Sequence, residues 1–176
     1  RRPSINIHAN ETRDLPFSMI RVLDEEDRAV GEWDPHLDAE TLRLGLRHML
    51  LNRVFDDRMY KMHRQGKISF YMRATGEEAV AVAQCMALHP GDMLFPSYRQ
   101  QGLLITRGIK LVDMMCQCLS NSHDNLQGRQ LPVLYSFKEV NFFTLSGNLA
   151  TQFCQAVGWA MAAEYKGTSD IAVTWI

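Results

Sequence analysis

Residues 142–155, with the sequence FFTLSGNLATQFCQ, combine residue types that could hold an anion. Residues 142–145 have strand composition, and the polar residues 146–148 predict a turn before a helical segment. The first backbone N–H groups of a helix have no partner within it, and the helix dipole adds partial positive charge there. We therefore expect this helix start to bind phosphate or a similar anion.

Tyr98 and Arg99 form a second candidate phosphate contact. They follow an apolar run at 93–95, which predicts a strand, and they open a segment at 98–106 that predicts a helix. A guanidinium group can hold two phosphate oxygens at once, with charge-assisted hydrogen bonds about twice as strong as neutral ones. The alternative interpretation is an arginine on a solvated helix face beside a tyrosine of the core.

Several ordered strings of this sequence are shared with one enzyme family. They are ISFYM at 68–72, TGEEAVAVAQ at 75–84, FPSYRQQG at 95–102, GRQLP at 128–132 and SGNLATQ at 146–152. On these motifs the chain from about Leu15 to Ile176 resembles the alpha subunits of branched-chain 2-oxoacid (2-oxoisovalerate) dehydrogenase, the thiamine diphosphate-dependent decarboxylating component. Several ordered matches are more specific than any single motif.

Two alternative interpretations stay open. Pyruvate-specific alpha subunits usually carry a His-Gly-Ile-Val-Gly type of turn where this chain has SGNLATQ, so the motif favours the branched-chain class. Some branched-chain members have Ser-Pro in place of Gly147 and Asn148, which means that any role of these two positions falls to their backbone groups. The second alternative is a non-catalytic α/β interaction domain that keeps the fold and binds no cofactor.

The resemblance implies an α/β fold of the thiamine diphosphate-binding type, with a mainly parallel sheet flanked by helices. It implies that Tyr98 and Arg99 bind the diphosphate and that backbone groups of Gly147 and Leu149 contact the cofactor. It also implies a potassium ion held by oxygen ligands, which suit a hard cation. The implied potassium ligands are Ser146, Asn148, Thr151 and Gln152. The alternative is that Ser146 and Asn148 serve only as turn and cap residues.

The ligands of the implied Mg²⁺ ion are expected after residue 176, where the family has a Gly-Asp-Gly turn and a later Asn. The apolar run at 171–176 predicts a buried parallel strand, and the sequence stops within it. We therefore expect an N-terminal fragment, truncated before the metal-binding turn and without a catalytic residue of its own. Glu77 and Glu78 are interpreted as helix-start residues, because in this family the activating carboxylate comes from the beta subunit.

The reaction that the resemblance implies is oxidative decarboxylation of a branched 2-oxoacid, with acyl transfer to a lipoyl group. The implied partners are a beta subunit in an α2β2 heterotetramer, a lipoyl-bearing acyltransferase component and the small 2-oxoacid. Phe70 and Tyr71 could wall the pocket for the branched tail of the substrate, where apolar contacts select the ligand. The alternative for both residues is a place in the plain core.

The sequence predicts an arm at 1–38 with little regular structure, followed by part of the dehydrogenase domain at 39–176. A stripe at helical spacing predicts a long amphipathic helix from about Asp38 to Gln65, stopped by Gly66. The stripe consists of Leu42, Leu46, Leu50 and Val54.

Three further helices are expected in the domain. Thr75 and Glu78 have the spacing of a capping box, which predicts a helix through Ala87. The other two are predicted at 111–119 and at 149–165. Alternation of strands with helices favours ligand binding at the carboxyl ends of the strands.

Charge and composition exclude several classes of partner. The 176 residues carry a net charge of −1 without a basic stripe, so we expect no nucleic-acid binding. No apolar run reaches the roughly 18 to 20 residues of a spanning helix, so we expect no membrane insertion. The 4 cysteines lie in apolar helical contexts, which predicts reduced thiols in a cytosolic or matrix-like compartment. Between these two, we predict the bacterial cytoplasm over the mitochondrial matrix.

Overall fold

The computed structural model describes residue 4 and residues 6–17, 22–30 and 34–176. It divides into two compact units, residues 1–41 and residues 42–176. The boundary predicted between residues 38 and 39 stays a prediction. The predicted arm includes positions 1–3, 5, 18–21 and 31–33, which lie outside the described residues.

The first unit has short local structure where it is described. It contains two 3-10 turns, Ala9–Thr12 and Leu15–Phe17, and an antiparallel bridge between Leu23 and Ala29. Asp24 closes the turn between the bridged residues by accepting the backbone N–H of Arg28 at 2.9 Å. These elements are short, and the arm predicted at 1–38 stays a prediction.

Five α-helices and two β-strands follow along the described part of the chain. They are α1 (Ala39–Arg64), α2 (Glu78–Ala87), β1 (Met93–Phe95), α3 (Gln101–Thr106), α4 (Leu111–Leu119), α5 (Thr151–Lys166) and β2 (Ala172–Thr174). A 3-10 turn, Lys138–Val140, precedes the segment that leads into α5. None of these helices is long and apolar enough to cross a membrane.

The predicted ends of α1 are confirmed. Asp38 Oδ1 accepts the N–H groups of Glu40 and Thr41, each at 2.8 Å, which is the pattern of an N-cap. At the other end Gly66 has a φ of +71° and donates its N–H to His63 O, while Lys67 N donates to Met62 O. This pair of bonds is a Schellman motif, whose left-handed position favours glycine.

The leucine stripe of α1 does not face the core of the second unit. Its four residues are 51% to 66% exposed, and the opposite face is buried. The buried residues of α1 are Gly45, Asn52, Phe55, Asp56, Met59 and Met62. Two of them are polar, so hydropathy alone did not identify the buried face.

The predicted capping box at the start of α2 is wrong. The N-cap residue is Glu77, and its side chain makes no capping bond. Glu78 forms an ion pair with Arg53 of α1, and its second oxygen accepts the N–H of Gly76 at 2.8 Å. The capping box predicted that the Glu78 carboxylate would bond at the helix start beside Thr75. It pairs instead with Arg53, which is distant in sequence.

The mainly parallel sheet predicted from the sequence is confirmed. The strands β1 and β2 pair in parallel, with Leu94 opposite Val173. On the other side of β1, Leu94 also forms a parallel bridge with Phe142. The strand predicted at 142–145 is reduced to two bridges of Phe142, this one and an antiparallel bridge with Phe137.

The core of the second unit lies between the sheet, α1, α3 and α4. Its largest fully buried apolar side chains are Tyr135, Phe95, Phe142, Met59, Leu94, Leu103, Leu104, Met114 and Leu145. The predicted α/β character is therefore confirmed, with helices packed around a small parallel sheet.

Candidate functional site

The two predicted phosphate-binding segments leave the sheet at the same edge. Residues 96–100 follow the carboxyl end of β1, and residues 143–150 follow Phe142, which pairs in parallel with Leu94. The side chains of Phe95 and Phe143, at these two strand ends, pack with ring centroids 5.0 Å apart. Ligands of open α/β sheets bind at the carboxyl edge of the strands.

Tyr98 and Arg99 lie in a turn and not in a helix. The predicted helix at 98–106 begins only at Gln101. Gln100 Oε1 accepts the N–H of Ser97 at 2.9 Å and its hydroxyl at 2.6 Å, which closes the chain into a turn before the helix. This buried bond fixes the backbone that carries Tyr98 and Arg99.

Arg99 is only partly paired. Its Nη1 lies 3.3 Å from Glu77 Oε1, and its guanidinium carbon lies 5.4 Å from the centroid of the Tyr98 ring. Among the described residues, nothing accepts a hydrogen bond from its buried Nε. A guanidinium group has five N–H donors, so most of the donors of Arg99 have no hydrogen-bond partner among the described residues.

The turn before α5 presents backbone groups to solvent. Asn148 N donates to Ser146 Oγ at 3.2 Å, and Gly147 and Leu149 are exposed. Ala150 precedes the helix with a φ of +64°, and as an alanine it supplies no side-chain cap. The first N–H groups of α5 are therefore not capped by a side chain of that residue.

Thr151 and Gln152 occupy the first turn of α5. Thr151 is half-buried, and Gln152 is buried with its Nε2 donating to the carbonyl oxygen of Trp175. That bond ties the start of α5 to the residue after β2. Hydroxyl, amide and backbone oxygens of residues 146–152 therefore lie in one short segment, which comprises the turn before α5 and the start of that helix.

Phe70 and Tyr71 point to different environments. Phe70 is 38% exposed, whereas Tyr71 is buried in the core and packs edge-on against Phe55 at a centroid distance of 6.4 Å. The Tyr71 hydroxyl donates to Asp56 Oδ1 at 2.6 Å. Of the two predicted pocket residues, only Phe70 has substantial accessible surface in the described chain.

Metal and thiol chemistry is limited in the part of the chain that the structure describes. It contains no group of three or more His, Cys, Asp and Glu side chains that could hold a metal ion. All four cysteines are free, and three of them are buried. Burial raises the pKa of Cys118 to about 11, so this thiol is a poor nucleophile near neutral pH.

Sequence reasoning missed the role of Glu77 beside Arg99. The two residues are 22 positions apart and share no local pattern, so no sequence signal connects them. Their contact exists because the turn after β1 meets the start of α2, and α2 packs against α3.

An α/β unit that sends two phosphate-suited segments to one sheet edge is typical of cofactor-binding proteins. The model of the family described as "Dehydrogenase E1 component" matches residues 46–176. The chain belongs to this family, in agreement with the resemblance seen in its motifs.

Named relatives match the whole chain or nearly all of it. It is 57% identical over 176 residues to the 2-oxoisovalerate dehydrogenase subunit alpha of Pseudomonas aeruginosa. It is 40% identical over 170 residues to the mitochondrial 2-oxoisovalerate dehydrogenase subunit alpha of Mus musculus. It is 38% identical over 171 residues to the corresponding subunit alpha 1 of Arabidopsis thaliana. These matches cover 100%, 96% and 97% of this chain but only 43%, 38% and 36% of the relatives.

Proposed function

We propose that this chain is part of the alpha subunit of a thiamine diphosphate-dependent branched-chain 2-oxoacid dehydrogenase. The observation that carries the proposal is the shared sheet edge, where the free donors of Arg99 and the start of α5 meet the requirements of a diphosphate. The names of the relatives support the substrate class. The reaction proposed is oxidative decarboxylation of a branched 2-oxoacid with acyl transfer to a lipoyl group.

The residues of the site fit a diphosphate. Arg99 has an unpartnered Nε and a half-exposed guanidinium, which can donate hydrogen bonds to two phosphate oxygens. Tyr98 is half-buried beside it and supplies a hydroxyl donor. Gly147 and Leu149 lie in the exposed turn before α5, where their backbone groups can contact the cofactor.

The chain itself contributes binding and orientation. Thiamine diphosphate, when bound, supplies a carbanion nucleophile and a sink for the electrons left by carbon dioxide. Arg99 would offset part of the charge of the diphosphate and Tyr98 would donate a hydrogen bond to it, while the turn closed by Gln100 keeps both side chains at the sheet edge. We assign no catalytic residue to the chain, and we expect the carboxylate that activates the cofactor to come from a beta subunit.

Two metal ions belong to the proposal. Mg²⁺ is proposed as the counter-ion of the diphosphate, with ligands outside the described residues. Potassium is proposed at the turn before α5, where hydroxyl and amide oxygens suit a hard cation. Its proposed ligands are Ser146, Asn148, Thr151 and Gln152.

The proposal also covers substrate and partners. We propose that Phe70 contacts the branched tail of the substrate, because its side chain is accessible. We propose that the buried Tyr71 forms part of the wall of the same pocket. The proposed partners are a beta subunit in an α2β2 heterotetramer and a lipoyl-bearing acyltransferase. We assign the protein to the bacterial cytoplasm, since its identity to the Pseudomonas relative exceeds that to the two mitochondrial-type relatives compared.

Calorimetry on the full-length protein, assembled with its beta subunit, tests the cofactor role. Thiamine diphosphate and Mg²⁺ are titrated into the wild type and into the Arg99→Ala variant. We expect Arg99→Ala to weaken binding by about 2 kcal/mol, the scale of a lost charge-assisted contact. Arg43→Ala, which removes an exposed arginine of α1, is the matched control and should bind like the wild type.

Each result of this experiment has a defined meaning. Absence of binding in the wild-type assembly would contradict the proposal and favour a non-catalytic interaction domain. If binding occurs, turnover of 2-oxoisovalerate is compared with turnover of pyruvate. A clear preference for pyruvate would replace the branched-chain assignment by the pyruvate-specific one.

A further inference from the structure

The contact between Glu77 and Arg99 brings a carboxylate to the group that is proposed to bind the diphosphate. We propose that Glu77 is a displaceable anion that holds Arg99 in the absence of cofactor and competes with the diphosphate for it. This inference rests on the proposed function. Glu77 thereby sets the affinity of the site without touching the reacting atoms.

The ion pair between Glu77 and Arg99 is weak enough for a ligand to displace it. Glu77 and Arg99 meet through one close approach of 3.3 Å, and their side chains are 41% and 39% exposed. An ion pair with this much solvent access contributes little free energy. A diphosphate can offer two or more oxygens to the same half-exposed guanidinium, so it is the stronger ligand.

Glu77 loses little when it releases Arg99. It occupies the N-cap position of α2, where its backbone N–H donates to Ala74 O at 2.9 Å and its side chain makes no capping bond. The partial positive charge of the helix start stabilises a nearby carboxylate whether or not an arginine is present. The side chain can therefore turn towards water without disturbing α2.

The neighbouring residue Glu78 shows the contrasting arrangement. Its side chain is 8% exposed, paired with Arg53, and bonded to the N–H of Gly76. Removal of Glu78 would leave two donors without their acceptor, so Glu78 is fixed in place. Of the two adjacent carboxylates, only Glu77 is free to exchange its partner.

The Tyr98 ring keeps Arg99 in position during the exchange. The guanidinium carbon lies 5.4 Å from the ring centroid, within the range of a cation–π contact. This contact does not depend on Glu77, so Arg99 stays oriented when the carboxylate leaves. A single carboxylate in solution is no better a ligand than Glu77, which therefore protects Arg99 from weak monodentate anions.

The test uses the full-length protein assembled with its beta subunit, and it measures binding only. Thiamine diphosphate with Mg²⁺ is titrated by calorimetry, and inorganic pyrophosphate serves as a competing probe. We expect Glu77→Gln to tighten binding of both probes by about twofold to fivefold, the range set by a partly exposed ion pair. Asp57→Asn removes a carboxylate from another half-exposed ion pair, with Arg73, and is the control for net charge.

A double-mutant cycle separates this inference from the proposed function. The gain from Glu77→Gln should vanish in the Arg99→Ala background, because the competition requires the arginine. Equal or weaker binding by Glu77→Gln, with Arg99→Ala still weakening it, would overturn the competition and leave the cofactor role intact. Unchanged binding by Arg99→Ala would overturn both. If Asp57→Asn tightened binding by the same factor, the effect of Glu77→Gln would be explained by net charge alone, and the inference would be overturned.

Discussion

The Tyr71 hydroxyl donates to Asp56 Oδ1 at 2.6 Å, and both side chains are buried in the second unit. The other carboxylate oxygen of Asp56 accepts the N–H of Ala74 at 2.7 Å. These two bonds tie the irregular segment between α1 and α2 to the buried face of α1. The irregular segment therefore has a fixed position, although it contains no strand.

Replacement of Tyr71 by Phe should lower the free energy of unfolding by about 1 to 3 kcal/mol, because a buried carboxylate loses one of its two donors. Thermal or urea unfolding of the full-length protein measures the loss. Tyr60→Phe, at a half-exposed site on α1, is the matched control and should change stability by less than about 0.5 kcal/mol. Equal effects of the two variants would show that the buried bond is not stabilising.

The buried Asp56 should also leave a signature in the pH dependence of stability. Burial raises the pKa of Asp56 above its ordinary value of 3.8, and the hydrogen bonds from Tyr71 and Ala74 oppose that shift only in part. A raised acid pKa means that the folded state binds the proton more tightly than the unfolded state does. The stabilising contribution is complete below pH 3.8 and is lost as the pH rises through the folded-state pKa.

Asp56→Asn removes this titration and provides the measurement. The stability of the wild type relative to Asp56→Asn should fall as the pH rises above 3.8 and through the raised folded-state pKa of Asp56. Urea unfolding at several pH values gives the difference directly. A difference independent of pH would mean that the pKa of Asp56 is the same in the folded and unfolded states.

Glu78 should show the opposite dependence. Its hydrogen bond with Arg53 holds the pKa of Glu78 below its ordinary value of 4.5, in spite of burial. The resulting stabilisation is present above pH 4.5 and is lost as the pH falls through the lowered pKa. Glu78→Gln should therefore cost about 1 kcal/mol at neutral pH and progressively less in acid. Glu77→Gln, which removes a half-exposed carboxylate, should leave stability nearly unchanged at neutral and at acid pH.

The sequence predicted the long helix α1 well because its ends are determined locally. Asp38 caps one end and Gly66 ends the other, and both signals act within a few residues. The buried face was not predictable in the same way. Burial depends on what packs against the helix, and the face that packs includes Asn52 and Asp56.

In the candidate site too, some features could be predicted from the sequence and others could not. Motif matches identified Tyr98 and Arg99, and the parallel sheet that was expected sends residues 143–150 to the same edge. The helix start at Gln101 was missed because the side chain of Gln100 bonds Ser97 and keeps the chain in a turn. Contacts between segments distant in sequence have no local signature, so they require the structure.

Close packing of α2 against α3 depends on Gly102. A methyl group at this position would lie 3.0 Å from Ala81 Cβ and 3.5 Å from Val82 Cγ2. Both neighbours are short and rigid, so Gly102→Ala should destabilise the fold by about 1 to 2 kcal/mol, after the gain in helix propensity is subtracted. Unfolding of the full-length protein measures the change.

Gly158 offers the matched comparison for this variant. It lies within α5, and an added methyl group there meets no atom of the described residues within 4 Å. Gly158→Ala should therefore be neutral or stabilising by up to about 1 kcal/mol. If Gly102→Ala were as stable as Gly158→Ala, α2 and α3 would have to move apart to admit the methyl group at little cost, contrary to their close packing.

The proposed potassium site can be tested through Thr151. Thr151→Val keeps the shape of the side chain and removes the hydroxyl oxygen offered to the cation. If residues 146–152 bind potassium, the wild type should melt at a higher temperature in KCl than in NaCl of equal ionic strength, because a ligand of the folded state stabilises it. Thr151→Val should lose most of that difference.

Thr168→Val is the control for this measurement. Thr168 lies beyond the carboxyl end of α5, and its hydroxyl makes only a long contact of 3.5 Å with Ala163 O. It should keep the full response to potassium. Retention of the response by Thr151→Val would exclude its hydroxyl as a ligand, and an equal loss in both variants would attribute the response to helix stability instead of ion binding.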